Sequence, residues 1–300
     1  MAIKMTRKPI FRKFKNCFYG KPGVGKTRLA ASAEAIPEFR DVILIDAEAG
    51  TTSLRDSNPT IPTITIDDWS SFARIYNFLR IHCRYQEEYL LGNQEFKGKL
   101  LKLEEELMGD EVGQEPLIIR TVILDSLTEI QKFAMAFVLD IDLATWELDS
   151  PFKLPKFKEW GENTEYVRLL VRHFRNLGVN LILTAHDKTI RDERTGKTDV
   201  CVSLPGKLPQ EILGFLDVCG YLYVPTKQQT ESDSADESIS DEFRNVILFQ
   251  TNGKYVAKDR YERLGKYMVN PTMEKIVNKL KGEKVNDSLW WWFSSWFFKC

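Results

Sequence analysis

Phe14-Lys15-Asn16-Cys17-Phe18-Tyr19-Gly20-Lys21-Pro22-Gly23-Val24-Gly25-Lys26-Thr27 sets the architecture of this chain. An apolar run from Phe14 to Tyr19 stops at Gly20, and from Lys26 a helical stretch continues through Leu29, Ala30, Ala31 and Ala33 to Pro37. That is strand, glycine loop, helix. Gly20, Gly25, Lys26 and Thr27 satisfy G-x-x-x-x-G-K-[ST] in the context a phosphate-binding loop requires. Gly20, Gly23 and Gly25, spaced by Lys21, Pro22 and Val24, let the backbone curl so that successive N–H groups converge on phosphate oxygens. The helix start adds its partial positive charge. Lys26 suits the β- and γ-phosphates and the Thr27 hydroxyl suits Mg2+, so ATP and Mg2+ are the expected cofactors.

Further along, the same grammar repeats. Val42 to Ile45 is an apolar strand closing on Asp46, Ile61 to Ile66 is another, and a helix follows with Trp69, Phe72, Ile75, Tyr76 and Leu79 on one face, capped by Asp67 or Asp68. Ile118 to Leu124 ends in Asp125, and a helix runs from Ser126 to about Val138. A further helix carries Tyr166, Val167, Leu170, Phe174 and Leu177, stops at Gly178, and hands over to a strand from Val179 to Thr184. Strands apolar on both faces, alternating with helices, predict a mainly parallel sheet covered on both sides. Asp125, at the carboxyl end of its strand, is placed to hold Mg2+ directly or through water.

Beyond Ala185 the pattern turns to hairpins: Thr189 to Asp192 with Thr198 to Ser203, then Tyr221 to Val224 with Val246 to Gln250. The expected organisation is a basic tail over 1–12, one ATPase domain over 13–280, and a tail over 281–300 bearing an aromatic run at 289–298. The domain includes a charged helical insertion at 86–114 and a Ser-rich acidic loop at 228–242.

Composition narrows the classes. With 42 Lys+Arg against 43 Asp+Glu the formal charge is -1, which excludes a polybasic polymer binder, so any nucleic-acid contact is local. Five scattered cysteines without a C-x-x-C pair, and three histidines, support neither a disulfide framework nor a zinc cluster. The aromatic run is too short to span a bilayer as a helix, no membrane partner is expected, and the scattered cysteines make a reducing cytoplasm the expected compartment.

Several short motifs then resemble one family. Ile45-Asp46-Ala47-Glu48-Ala49 resembles the Ile-Asp-Ala-Glu-His segment of bacterial RecA, and Asp125-Ser126 its second Walker position. Thr184-Ala185-His186 stands where RecA-like proteins carry a polar sensor. With Pro205-Gly206-Lys207 and Ala257-Lys258-Asp259-Arg260, the order of motifs resembles the RecA-like phage nucleotide-binding proteins, a group that includes single-strand-annealing recombinases, over roughly residues 13–280. The resemblance implies a RecA-like P-loop NTPase core with a C-terminal β-hairpin extension, and a DNA-stimulated ATPase that assembles into rings or filaments on single-stranded DNA, in the host cytoplasm if phage-encoded. A single-stranded-DNA-binding protein would be a natural partner. It also implies that Glu48 activates the attacking water, that His186 senses the γ-phosphate, and that Lys258 and Arg260 reach a neighbouring subunit's nucleotide. As a surface pair the last two would be solvated charges.

For DNA, the sequence offers a loop with Lys153, Lys156 and Lys158 beside Phe152, Phe157 and Trp160, and the hairpin with Lys188, Arg191, Arg194 and Lys197, diluted by Asp187, Asp192, Glu193 and Asp199. Two other readings stay open: a small-molecule kinase, which needs an acceptor pocket and a lid with its own arginines, and an interaction module in which hydrolysis is incidental.

Overall fold

Mainly apolar runs that end in a polar residue form one sheet, because a strand buried on both faces is favoured when most of its residues are apolar. The computed structural model describes residues 13–50, 54, 61–109, 112–143, 145–147, 149–151, 153–194, 196–225 and 245–282. The tail over 1–12, the acidic loop at 228–242, Phe152 and the aromatic run at 289–298 lie outside the described residues.

The chain runs β1 (Lys15–Tyr19), α1 (Lys26–Ala31, continued by a 3-10 turn at Ser32–Ala35), β2 (Val42–Asp46), β3 (Thr63–Thr65), α2 (Trp69–Leu90) and α3 (Glu95–Met108). Then come β4 (Thr121–Asp125), α4 (Leu127–Val138), α5 (Phe157–Arg175), β5 (Asn180–Ala185), β6 (Asp187–Arg191) and β7 (Thr198–Val202). α6 (Leu208–Phe215), β8 (Val218–Tyr223), β9 (Val246–Leu248), β10 (Lys258–Asp259), β11 (Tyr267–Val269) and α7 (Met273–Lys281) complete it. The main sheet has the order β11-β9-β8-β1-β5-β4-β2-β3, parallel from β8 to β3, with β9 antiparallel to β8 and β11 antiparallel to β9. β9 and β10 both run against β8, β9 along Tyr221–Tyr223 and β10 along Val218–Cys219. β6 and β7 form a separate two-stranded hairpin.

Alternation along each strand builds two cores. Cys17, Tyr19, Ile43, Ile45, Val122, Leu124, Leu181 and Leu183 pack under α2, α4, α5 and α6. Phe18, Leu44, Ile123 and Ile182 pack on the other face, under α1 and α7. Register then brings the strand ends together: Tyr19 lies opposite Ala185 and Tyr221, and Asp46 opposite Asp125. One edge therefore collects Gly20, Asp46, Asp125 and His186. No helix among the described residues is long and apolar enough to cross a membrane.

Several polar residues join the interior in ways their spacing does not announce. Lys15, in a central strand, donates from its ammonium to the carbonyls of Leu177 (3.1 Å) and Val179; burial pulls its pKa down to about 8, against the pull of Asp217. The start of the charged segment also moves. Residues 86–90 belong to α2, which Asp68 caps by accepting from the Ser71 N–H at 2.8 Å, and α3 folds back onto α2. Between them His82 Nε2 lies 2.9 Å from Glu104 Oε1, which also accepts from the Leu117 N–H at 3.0 Å. Both side chains are buried. Glu104→Ala leaves those groups without a partner and is expected to cost about 1–3 kcal/mol per orphaned group. A lowered midpoint in denaturant unfolding checks this, and an unchanged midpoint would mean that the α2–α3 contact does not need the pair.

Candidate nucleotide site

Gly23 and Gly25 sit at φ +77° and +88°, a conformation that favours glycine, and a β-carbon at Gly20 would stand 2.2 Å from the Leu222 carbonyl oxygen. The loop thus curls tightly between β1 and α1 and rests on the finish of β8. Lys26, 6% exposed, turns back over it and donates to the carbonyls of Gly20 (3.1 Å) and Lys21 (3.0 Å). Burial lowers its pKa, and the nearby carboxylates of Glu48, Asp125 and Asp187 work in the opposite direction.

Asp125 receives two hydroxyls. Thr27 Oγ1 donates to its Oδ2 at 2.5 Å and Thr184 Oγ1 donates to its Oδ1. Burial raises its pKa despite those two bonds, with Glu48 and Asp46 pushing the same way. Next door, Asp46 Oδ1 accepts from the Glu48 N–H at 2.9 Å, while its Oδ2 is buried with no hydrogen-bond partner among the described residues. Such an oxygen is costly unless something is there to meet it. Glu48 Oε1 lies 2.9 Å from His186 Nε2, both side chains about a quarter exposed. The His186 N–H donates to Thr128 Oγ1 at 3.0 Å, and its carbonyl accepts from the Ser203 N–H at 2.8 Å. His186 therefore joins the sheet edge to the β6–β7 hairpin.

The structure gathers Gly20 to Thr27, Glu48, Asp125 and His186 at one edge. It does not bring Lys258 and Arg260 there. β10 pairs with the start of β8, Lys258 opposite Cys219, so both residues stand towards the far edge of the sheet. Lys258 donates to the carbonyls of Leu213 and Leu216 (3.2 Å), and Arg260 to Asp217 Oδ1 (2.6 Å) and the Gly214 carbonyl (3.0 Å). The basic segments divide as well. α5 begins at Phe157, so Phe157, Lys158 and Trp160 stand on its first turns rather than in the preceding loop. Lys158 faces Glu162 at 3.4 Å, Lys156 takes the N-cap position, and Lys153 donates to the Leu139 carbonyl at 2.9 Å. On the hairpin, Lys188 donates to the Leu204 carbonyl, Lys197 pairs with Asp199 at 3.0 Å, and Arg191 and Arg194 are exposed. Thr184, Thr128 and Asp46 are partners not singled out as site residues; Asp46 and Thr184 end apolar runs and fall within the RecA-like motifs, whereas Thr128 carries no sequence signal.

The donor set fits ATP and Mg2+. A hydroxyl and a carboxylate oxygen are hard ligands for Mg2+, which binds through one or two carboxylates together with substrate phosphates. Among the described residues no cluster of three or more His, Cys, Asp or Glu forms an all-protein metal cage. A family model described as the AAA domain matches residues 12–261, which takes in the loop, Glu48, Asp125, His186, Lys258 and Arg260. No curated protein matches the chain.

Proposed function

Because this chain belongs to the AAA domain family of P-loop ATPases, we propose that it hydrolyses ATP as a RecA-like oligomer working on single-stranded DNA in recombination or annealing. The ATPase part of the reading is carried by one observation: Thr27 bonds Asp125 and Lys26 folds back over the glycine loop at the carboxyl edge of a parallel sheet, with Glu48 beyond the adjacent strand end. Such edges are where open α/β sheets take their ligands.

Lys26 exchanges its bonds to the loop carbonyls for phosphate oxygens, and Thr27 and Asp125 would hold the Mg2+, which neutralises charge on the phosphates. Glu48 takes a proton from the water that attacks the γ-phosphorus, and ADP leaves with the bridging oxygen. His186 turns its Nε2 from Glu48 to the γ-phosphate while that group is present and passes its loss to the hairpin. Glu48→Gln is expected to keep nucleotide affinity and to slow phosphate release about 10²- to 10⁴-fold in a single turnover. Unchanged release would remove Glu48 from the role of base.

The exposed Arg191 and Arg194 of the hairpin and the start of α5 supply cations for a single strand, and Lys258 and Arg260, remote from their own loop, would exchange their bonds within the chain for a neighbour's nucleotide. ATP turnover measured over a range of protein concentrations, with and without an unstructured single-stranded oligonucleotide, tests the whole reading. Turnover per chain should rise with both. A rate indifferent to both would leave an ATPase without the assembly and DNA parts.

A further inference from the structure

One face of the β8–β9–β11 end of the sheet is rich in tyrosine. Tyr221 lies opposite Leu248 and Leu248 opposite Tyr267, with Tyr223 opposite Val246, so all five side chains share that face. Tyr255, from the segment before β10, stacks on Tyr221 with ring centroids 4.4 Å apart and 15° between planes, and lies 6.3 Å and 6° from Tyr223. Tyr221 and Tyr223 are themselves 5.8 Å and 14° apart. Three rings are nearly parallel. Tyr221 is buried, whereas Tyr223 and Tyr255 are partly open and Tyr267 is 51% exposed. The Lys254 ammonium stands 5.3 Å from the Tyr255 ring centre.

These rings are tied to the β6–β7 hairpin. The Val200 N–H of β7 donates to the Lys254 carbonyl at 2.7 Å and the Val256 N–H donates to the Val200 carbonyl at 3.0 Å, so Tyr255 is held to the hairpin by a single parallel bridge at Val200. The Tyr19 hydroxyl lies 3.0 Å from the Val200 carbonyl and 2.6 Å from that of Val256, fixing this ribbon to β1. Lys188, Arg191, Arg194 and Lys197 on the hairpin are balanced by Asp187, Asp192, Glu193 and Asp199. With four charges of each sign, phosphate attraction alone is weak there, and the adjoining tyrosine rings offer a second kind of contact. Open, parallel aromatic faces beside cations are what unpaired bases stack on.

We propose that Tyr223 and Tyr255 form a stacking platform for the bases of single-stranded nucleic acid. This rests on the single-strand reading above and names a surface for it apart from the lysines and arginines. The test compares a labelled oligothymidylate with an abasic strand of equal length by fluorescence anisotropy. The wild type should prefer the strand with bases. Tyr223→Leu and Tyr255→Leu should each weaken oligothymidylate binding about 5- to 150-fold, leave abasic binding unchanged, and be rescued by Tyr223→Trp and Tyr255→Trp. ATP turnover without DNA should stay at the wild-type rate in all four. Wild-type affinity for oligothymidylate in the leucine variants would overturn the platform while the single-strand reading stands. Failure of the wild type to bind either strand would overturn that reading, and the platform with it. Loss of ATP affinity at constant oligothymidylate affinity would place the nucleotide's own base on the rings, again overturning the proposal. Photo-crosslinking of the wild type to a bromouracil strand needs no variant to fold: adducts should map to Tyr223 or Tyr255, and adducts confined elsewhere count against it.

Discussion

Chains carrying Lys26→Ala, mixed with chains carrying Arg260→Ala, are expected to recover ATP turnover that neither variant shows alone. Topology is the reason. Lys258 and Asp259 pair with Cys219 and Val218 at the start of β8, whereas Gly20 packs against Leu222 near its finish. Three strand residues, about 10 Å, separate those levels, and Arg260 lies further out still. The arginine also has its own place in the chain, bridging Asp217 and the Gly214 carbonyl while Lys258 takes the carbonyls of Leu213 and Leu216 at the end of α6. A neighbour's triphosphate would compete for these two cations with far greater charge. An arginine supplied in trans to phosphoryl transfer is worth about 10³–10⁵ in rate, so Arg260→Ala alone should lose at least the lower part of that range. Its ion pair with Asp217 is half-exposed on the arginine side but buried on the aspartate side, so a denaturant unfolding curve of Arg260→Ala is needed to show that the loss is one of rate rather than of fold. In a mixture, only a contact between an intact loop and an intact arginine works, which makes recovery partial. Phosphate release measured across mixing ratios at constant total protein decides the matter. A fully active monomer, or a mixture equal to the average of its components, overturns the assignment in trans.

Lys26→Ala is expected to abolish nucleotide binding at ordinary ATP concentrations. Lys26 is nearly buried, and an ammonium there gains more from a phosphate than it would in water. Truncating one member of a buried charge pair costs about 2–5 kcal/mol, or roughly thirty- to several-thousand-fold in affinity. Equilibrium titration with a fluorescent ATP analogue checks it, and wild-type affinity in the variant would contradict the phosphate cradle. Proton linkage gives the same residue a second signature. Burial lowers its pKa, and bound phosphate favours the charged form. ATP affinity should therefore fall as pH rises through that lowered pKa, with net proton uptake on binding, and Lys26→Ala should erase this limb. Calorimetry in buffers of different ionisation enthalpy reads the uptake directly.

The α2–α3 region shows where spacing ceases to inform. Gln86 looks like the start of a solvated segment, yet it lies inside α2 and exchanges hydrogen bonds with both backbone groups of Ile119, 33 residues away. Glu104 sits among Glu105 and Glu106 and is the one of the three that is buried, because His82 and the Leu117 N–H meet it. A carboxylate's burial is decided by its partner, and here the partners come from another helix and from the approach to β4. The strands are different. Val42–Asp46, Thr121–Asp125 and Asn180–Ala185 are apolar on both faces and end in or near a polar residue, so their place in the centre of a parallel sheet is visible in each run by itself.

From the order of residues alone come the loop of Gly20 to Thr27 and the buried strands beside it, since backbone curl at Gly23 and Gly25 and apolar runs are properties of contiguous chain. The folded chain adds what lies between elements: Thr27 and Thr184 sharing the carboxylate of Asp125, His186 meeting Glu48, and Lys258 and Arg260 standing away from their own loop. Those pairings follow from inserting β5 between β1 and β4 and running β10 against the start of β8, a strand order set by packing between distant segments rather than by any local spacing.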